Sequence, residues 1–249
     1  MRNRAIPEVS EADKAYVRSL VQYEDASVLA FNKPSGLPVQ SRGNKAQCLD
    51  QLLWAFARSN GKRPRLVHRI DAGTSGLVLA AKTKPAAAAL SQAFEARRVE
   101  KTYLALVKGD LPEKRGGRIT APLMKVERGS DGMPAHAIVS EDRGQAAKTD
   151  WRLLSSADTY ALFEVRPVTG RMHQIRVHLA HIGIPIIGDV LYGPDKAAGH
   201  PLMLHAYSLT LPYPDGKAIT LNAPLPPHFI EFADLNALNI PDAYLHADE

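Results

Sequence analysis

The stretch LVHRIDAGTSGLVLAAKT, Leu66–Thr83, decides how the rest of the chain is read. Two apolar runs, Leu66–Val67 and Leu77–Ala81, are interrupted by His68, Arg69, Asp71 and a series of small residues. Apolar runs bounded by turn residues read as strands, so the segment is predicted as strand, loop, strand. An arginine and a carboxylate between two core-forming strands need a reason. One reason is local: an aspartate at a turn bonds its own backbone and starts the turn. The other is chemical, with the turn existing to hold Asp71 where it can react.

Working outward, VLAFNKPSGLPVQ (28–40) reads as a strand broken by two proline turns. Leu49, Leu52, Leu53 and Phe56 give helical spacing across 46–58, with Cys48 on the flank as a core residue. Ser10 and Asp13 have the spacing of a capping box before a short polar helix. After Pro85 an alanine-rich helix is predicted to about Arg97, and VEKTYLALVKG (99–109) alternates like a strand. The loop-rich, basic stretch 110–145 gives no assignment. Further strands are predicted at 147–154, 160–168, 206–212 and 217–222. From Met172, the residues Ile175, Leu179 and Ile182 make the apolar stripe of a helix, while His173, Arg176 and Ala180 lie on another, polar face. A short helix ends the chain. Strands outnumber helices and do not alternate regularly with them, which points to an α+β fold rather than a doubly wound parallel sheet.

A chain of 249 residues, 45% hydrophobic, can bury one sizeable core. Residues 1–19 read as an N-terminal extension and 20–249 as a single domain. The net charge of +5 is unevenly spread. Residues 58–69 carry Arg58, Lys62, Arg63, Arg65 and Arg69 with no acid, and 97–128 carry nine basic residues against four acids. The last 32 residues hold five acids and neither lysine nor arginine. Two basic blocks and an acidic tail suggest a face that binds a polyanion. Cys48 is the single cysteine, so an internal disulfide and a cysteine-based zinc site are excluded. No apolar run is long enough to span a bilayer and no signal core opens the chain, so a cytoplasmic protein is expected.

Several standard sites are missing: there is no GxGxxG, P-loop, HExxH or GxSxG. His173, His178 and His181 invite a metal reading, but His173 points away from the other two at helical spacing and no acidic ligand is near. No metal is expected. What remains is Asp71 in HRIDAGTSG, Tyr103 in EKTYLALV and Arg176 in TGRMHQIRVHL. Each has an ordinary explanation: a turn aspartate, a core tyrosine, a surface cation.

Their combination and order do not. The chain resembles the RluA-type family of pseudouridine synthases, whose hallmark HRLD-x-x-T-S-G is matched by residues 68–76 with Ile70 in place of leucine. Further matches follow in the family's order: FNKPSGLPVQ at 31–40, EKTYLALVKG at 100–109, PVTGRMHQIRVHLAHIGIPIIGD at 167–189 and LMLHAYSLTL at 202–211. The resemblance spans roughly residues 20–215. It implies the pseudouridine synthase fold, a central, mostly antiparallel mixed sheet with flanking helices and loops around an RNA-binding cleft. It also implies an isomerase that turns specific uridines of ribosomal RNA or tRNA into pseudouridine without any cofactor. Asp71 is then the catalytic carboxylate, Arg176 its charge partner across 105 positions, and Tyr103 the ring that stacks on the uracil. Arg69 matches an arginine that displaces the base, with a phosphate contact as the alternative, and His68 and Thr74 of the same motif are taken as RNA contacts. Arg171 and His173, with the basic residues of 58–65 and 97–128, are candidates for a phosphate-tracking surface, and Leu204 is either a wall of the uracil pocket or a core residue. Nineteen residues before the catalytic region are too few for a separate RNA-binding domain, and a monomer without an obligate protein partner is expected. The rival reading is a non-catalytic RNA-binding or ribosome-assembly protein on the same fold, which loss of Asp71, Tyr103 or Arg176 would have favoured. A DNA-binding regulator would need a recognition helix, and the 172–183 helix is too apolar for one.

Overall fold

The computed structural model describes residues 9–41, 47–128, 133–193, 199–213 and 216–245. The first eight residues of the predicted extension and the last four of the acidic tail lie outside them. The chain divides into two compact units, residues 1–99 with 209–223, and 100–208 with 224–249.

In the first unit the order is α1 (Glu11–Ser19), β1 (Val21–Glu24), β2 (Val28–Lys33), α2 (Leu49–Leu52), β3 (Arg65–Leu66), β4 (Ser75–Ala81) and α3 (Lys84–Glu95). Ser10 caps α1 by accepting the Asp13 N–H at 3.1 Å, and its hydroxyl donates to the Asp13 carboxylate. The helix buries Val17, and Arg18 lies over the Phe56 ring. β4 reads Ser-Gly-Leu-Val-Leu-Ala-Ala and is buried at every position, because β2 and β3 pair with it and α3 covers it. Leu77 and Leu79 meet Ala86, Leu90 and Ala93 of α3 in one apolar cluster. Thr83 caps α3 through the Ala86 N–H, and Pro85 occupies the first turn, where a missing N–H costs nothing.

The second unit begins with β5 (Glu100–Lys108), β6 (Gly116–Ile119), β7 (Leu123–Val126), β8 (His136–Val139), β9 (Thr149–Ala157) and β10 (Tyr160–Pro167). α4 (Gln174–His181), β11 (Leu204–Pro212), β12 (Ala218–Asn222) and α5 (Pro227–Leu235) complete the chain. β10 is central, antiparallel to β5 on one side and β9 on the other, and β6 extends β9. β7 and β8 form a separate hairpin. The first half of β11 belongs to this unit and its second half to the first, where it pairs with β12. Leu104, Leu106, Leu162, Phe163, Leu179, Ile184 and Phe229 form the core. The C-terminal Tyr244 donates its hydroxyl to buried Glu164, which also accepts Arg152 at 3.0 Å.

The pairings named by register are all antiparallel, in line with the α+β expectation. Three elements differ from their sequence reading. The helix expected at 46–58 is one α-turn followed by a 3-10 turn at Leu53–Phe56. The unassigned 110–145 stretch contains β6, β7 and β8, each four residues and so too short to show a period. α4 runs from Gln174 to His181 and has no polar face: Gln174, Arg176 and His178 are buried along with Ile175, Val177 and Leu179.

One glycine between α4 and β11 lies against a neighbouring backbone segment. Gly188 has φ 76°, and a Cβ there would run into the Pro201 carbonyl. Gly188→Ala is expected to destabilise the protein by about 2 kcal/mol, through left-handed strain and the collision. A thermal melt lowered by about 4–8 °C would register it.

Candidate active site

The HRIDAGTSG loop is held by the NKPSG loop that follows β2. Lys33 Nζ donates to the Ala72 carbonyl at 3.0 Å and to the Pro34 carbonyl at 2.9 Å. Ser35 Oγ donates to the Gly73 carbonyl at 2.6 Å, and the Gly36 N–H to the Ala72 carbonyl at 2.9 Å. Gly36 has φ 89°, which aims its N–H across the gap at no steric cost. The Thr74 N–H closes the turn on the Asp71 carbonyl at 3.2 Å. Asp71 is half-buried, Ala72 exposed and Thr74 buried.

Lys33 has no exposed surface, which is unusual for a lysine. Burial pushes its ammonium down to about 7, against the opposing field of Asp71. Its two carbonyl partners match the two N–H groups of a neutral amine.

His68 Nε2 accepts the Leu79 N–H at 2.9 Å, so the ring carries its proton on Nδ1, and it stacks on Phe94 at 4.4 Å between centroids. This histidine ties the loop to β4 and α3. Arg69, beside it, is exposed, and Ile70 is buried. Asp71, Arg69, His68 and Thr74 thus share the first unit.

Tyr103, Arg171, His173, Arg176 and Leu204 belong to the second. Tyr103 is half-buried in β5, opposite Val165 of β10, and packs against the unit's core. Leu204, at the start of β11, is buried in that core. The turn leading into α4 is organised by Gln174, whose amide makes four bonds. Its Oε1 accepts from Thr169 Oγ1 at 2.6 Å and the Arg171 N–H at 3.0 Å. Its Nε2 donates to the Lys148 carbonyl and Thr149 Oγ1, both at 2.9 Å. Thr149 in turn donates to His178 Nδ1 at 2.8 Å, which leaves His178 Nε2–H to donate to the Ala121 carbonyl at 2.9 Å. Burial pushes the His178 pKa down, consistent with a neutral ring. Both its nitrogens are used, and among the described residues no group of three or more His, Cys, Asp or Glu could hold a metal.

Arg176 is 9% exposed. Its Nε and Nη2 each meet an Asp189 carboxylate oxygen at 2.8 Å, and its guanidinium carbon lies 5.0 Å from the Tyr192 ring centroid. Asp189 Oδ1 also accepts the N–H groups of Leu191 and Tyr192 at 3.0 and 3.1 Å. Tyr192 connects further: its hydroxyl accepts the Ala137 N–H at 2.9 Å and bonds His173 Nδ1 at 2.8 Å. The structure therefore gathers Arg176 and His173 around Tyr192, while Arg171 donates Nε to the Ala146 carbonyl at 3.2 Å.

Sequence reasoning assigned no role to Lys33, Ser35, Gln174, Asp189 or Tyr192. A signal existed for two of them. Lys33 stands between the apolar run VLAF, from which Asn32 separates it, and a Pro-Ser-Gly turn, and Asp189 ends the apolar run IPIIG, places where a charge needs a buried partner.

The signature of the family described as RNA pseudouridylate synthase matches residues 27–181, more than half of the chain. A ribosomal large subunit pseudouridine synthase C of Rickettsia bellii is 37% identical over 89% of this chain and 73% of its own length. A ribosomal large subunit pseudouridine synthase D of Zymomonas mobilis is 38% identical over 83% and 69%. The chain belongs to the RluA-type family of RNA pseudouridine synthases. Another Zymomonas mobilis RNA pseudouridine synthase is 38% identical over 85% of this chain and 95% of its own length. Among solved structures, human RNA pseudouridylate synthase domain containing 4 superposes with a TM-score of 0.78 at 27% identity, covering 93% of this chain and 99% of that one. The fold is that of the pseudouridine synthases, and the protein is an isomerase acting on RNA. No helix among the described residues is long and apolar enough to cross a membrane.

Lys33 gives this synthase a measurable pH signature. Between about pH 7 and the ordinary lysine range the unfolded chain holds a proton that the folded one lacks, so this group makes stability rise with pH in that window. Lys33→Met removes the titration. Urea melts at pH 7, 8 and 9 are expected to show the wild-type protein gaining about 2 kcal/mol on the variant across that interval.

Proposed function

We propose that this synthase isomerises specific uridines of ribosomal RNA, with Asp71 as the catalytic carboxylate and Tyr103 and Arg176 acting on the same nucleotide. The observation that carries the reading is the Asp71 turn, pinned through its backbone carbonyls by Lys33, Ser35 and Gly36. A residue that only began a turn would not need a buried lysine beneath it. Ribosomal RNA is favoured over tRNA because relatives matched over most of this chain are named as synthases of the ribosomal large subunit.

The reaction breaks the C1′–N1 bond of uridine, turns the base and forms a C1′–C5 bond. N1 gains a proton and C5 loses one, so the product is an isomer and no electron is transferred. An ionised Asp71 beside the ribose serves either as nucleophile or as base toward a ribose proton. An arginine opposite the carboxylate balances its charge and can hold it in a forked geometry. Arg176 is that partner in this proposal. Tyr103 stacks on the uracil, an interaction worth about 1–3 kcal/mol, and its hydroxyl helps remove the C5 proton. The exposed Arg69 fills the place of the displaced base, since a stacked uridine cannot be reached in a helical stem. His173 and Arg171 contact the RNA backbone, so binding weakens with salt.

The experiment is tritium release from ribosomal RNA and tRNA labelled at C5 of uracil, without added cofactor. Wild type is expected to release tritium from ribosomal RNA, and Asp71→Asn to be slower by at least about 10³-fold while still binding. Equal release by Asp71→Asn would remove Asp71 from the chemistry, and release from tRNA alone would overturn the substrate.

Tyr103→Phe separates ring from hydroxyl. Affinity for the RNA is expected to stay within about threefold, because stacking survives, while release slows by about tenfold or more. A rate equal to wild type would show that the hydroxyl takes no part.

A further inference from the structure

Arg176 is held on two sides at once. In its plane, Asp189 takes Nε and Nη2 at 2.8 Å each, a forked geometry that fixes both direction and tilt. Against its face lies the Tyr192 ring, 5.0 Å from the guanidinium carbon. Each support has contacts of its own besides the arginine. Asp189 Oδ1 accepts the Leu191 and Tyr192 N–H groups, and the Gly193 N–H donates to the Asp189 carbonyl at 2.8 Å. The Tyr192 hydroxyl is tied to Ala137 and His173. Burial pushes the Asp189 carboxyl up, and the Arg176 guanidinium with the two backbone N–H groups more than reverses this, so the group stays ionised.

Two functions could explain such a pair. A buried ion pair adds little net stability over an apolar pair of the same shape, because desolvation consumes most of the attraction. Stability is therefore a weak reason to bury Asp189 to 2% exposure beside an arginine that is 9% exposed. Geometry is a stronger one. A long arginine side chain has many rotamers, and a group that must meet a developing charge has to be placed before the reaction starts.

We propose that Asp189, with the Tyr192 ring, is a positioning residue of this synthase that sets the plane and depth of the Arg176 guanidinium. The inference rests on the reading of Arg176 as a catalytic group. Asp189 touches neither base nor ribose and acts only through the arginine. Its loss leaves RNA affinity nearly intact and slows the chemical step, because a displacement of about 1 Å in a catalytic group costs about 10²-fold in rate.

The test is steady-state tritium release with Asp189→Asn, Tyr192→Leu, Arg176→Lys and the doubles Asp189→Asn/Arg176→Lys and Tyr192→Leu/Arg176→Lys, each checked by thermal melt. Asp189→Asn is expected to lower kcat by about 30–100-fold with KM for the RNA within about threefold. In the Arg176→Lys background the same change is expected to cost less than about threefold more, since the residue it positions is already lost. Full losses that multiply in the double variant, or wild-type turnover by Asp189→Asn, would overturn the positioning role. Wild-type turnover by Arg176→Lys would instead overturn the reading of Arg176 on which the inference stands. Should Asp189→Asn melt below the assay temperature, Tyr192→Leu carries the test. A loss of about tenfold in kcat that disappears in its Arg176→Lys double supports the proposal, and an undiminished loss there overturns it.

Discussion

A buried lysine amine bonded to two backbone carbonyls is the contact on which the HRIDAGTSG loop of the first unit depends. Lys33 stands at the end of β2 and reaches the Ala72 carbonyl, 39 positions along the chain. Local sequence cannot hold HRIDAGTSG alone: a turn rich in glycine and alanine has little side-chain surface to bury and much conformational freedom to lose. The lysine, Ser35 and Gly36 supply the restraint from outside. The cost is desolvation of an amine, and the neutral form reduces that cost.

The second unit solves a related problem with a closed polar network. Gln174, Thr149, Thr169 and His178 are buried among apolar neighbours, where a missing partner would cost about 1–3 kcal/mol. Their donors and acceptors match in one consistent direction, from Thr169 through Gln174 and Thr149 to His178 and the Ala121 carbonyl. Only one tautomer of His178 fits that chain. α4 is therefore fixed in rotation as well as in position, and the arginine in its middle inherits that rigidity.

Much of this could be read from the sequence, but not evenly. The strand-loop-strand character of 66–83, the helix after Pro85 and the strand carrying Tyr103 followed from period and breakers. Cys48 is buried, as its flanking place suggested. The α4 expectation was half right: the apolar stripe packs inward, yet Arg176 is buried too. A hydrophobicity pattern assigns arginine to the outside because it cannot know that Asp189 waits 13 positions later. For the same reason Lys33, Gln174 and Tyr192 escaped notice. Each has a partner that no local window contains: Ala72 lies 39 positions from Lys33, Thr149 lies 25 from Gln174 and Ala137 lies 55 from Tyr192. Asp71 drew notice by its place between two apolar runs, while its role and that of Tyr103 came from resemblance to a family.

The grip on the HRIDAGTSG loop falls on main-chain carbonyls of Ala72 and Gly73, not on side chains. A contact that reads only the backbone is indifferent to what projects from it. The outward-facing alanine can consequently drift in evolution without loosening the loop. Geometry and surface chemistry are inherited separately here, so a lineage could adjust what the loop presents at its surface while the placement of its neighbouring carboxylate stays fixed.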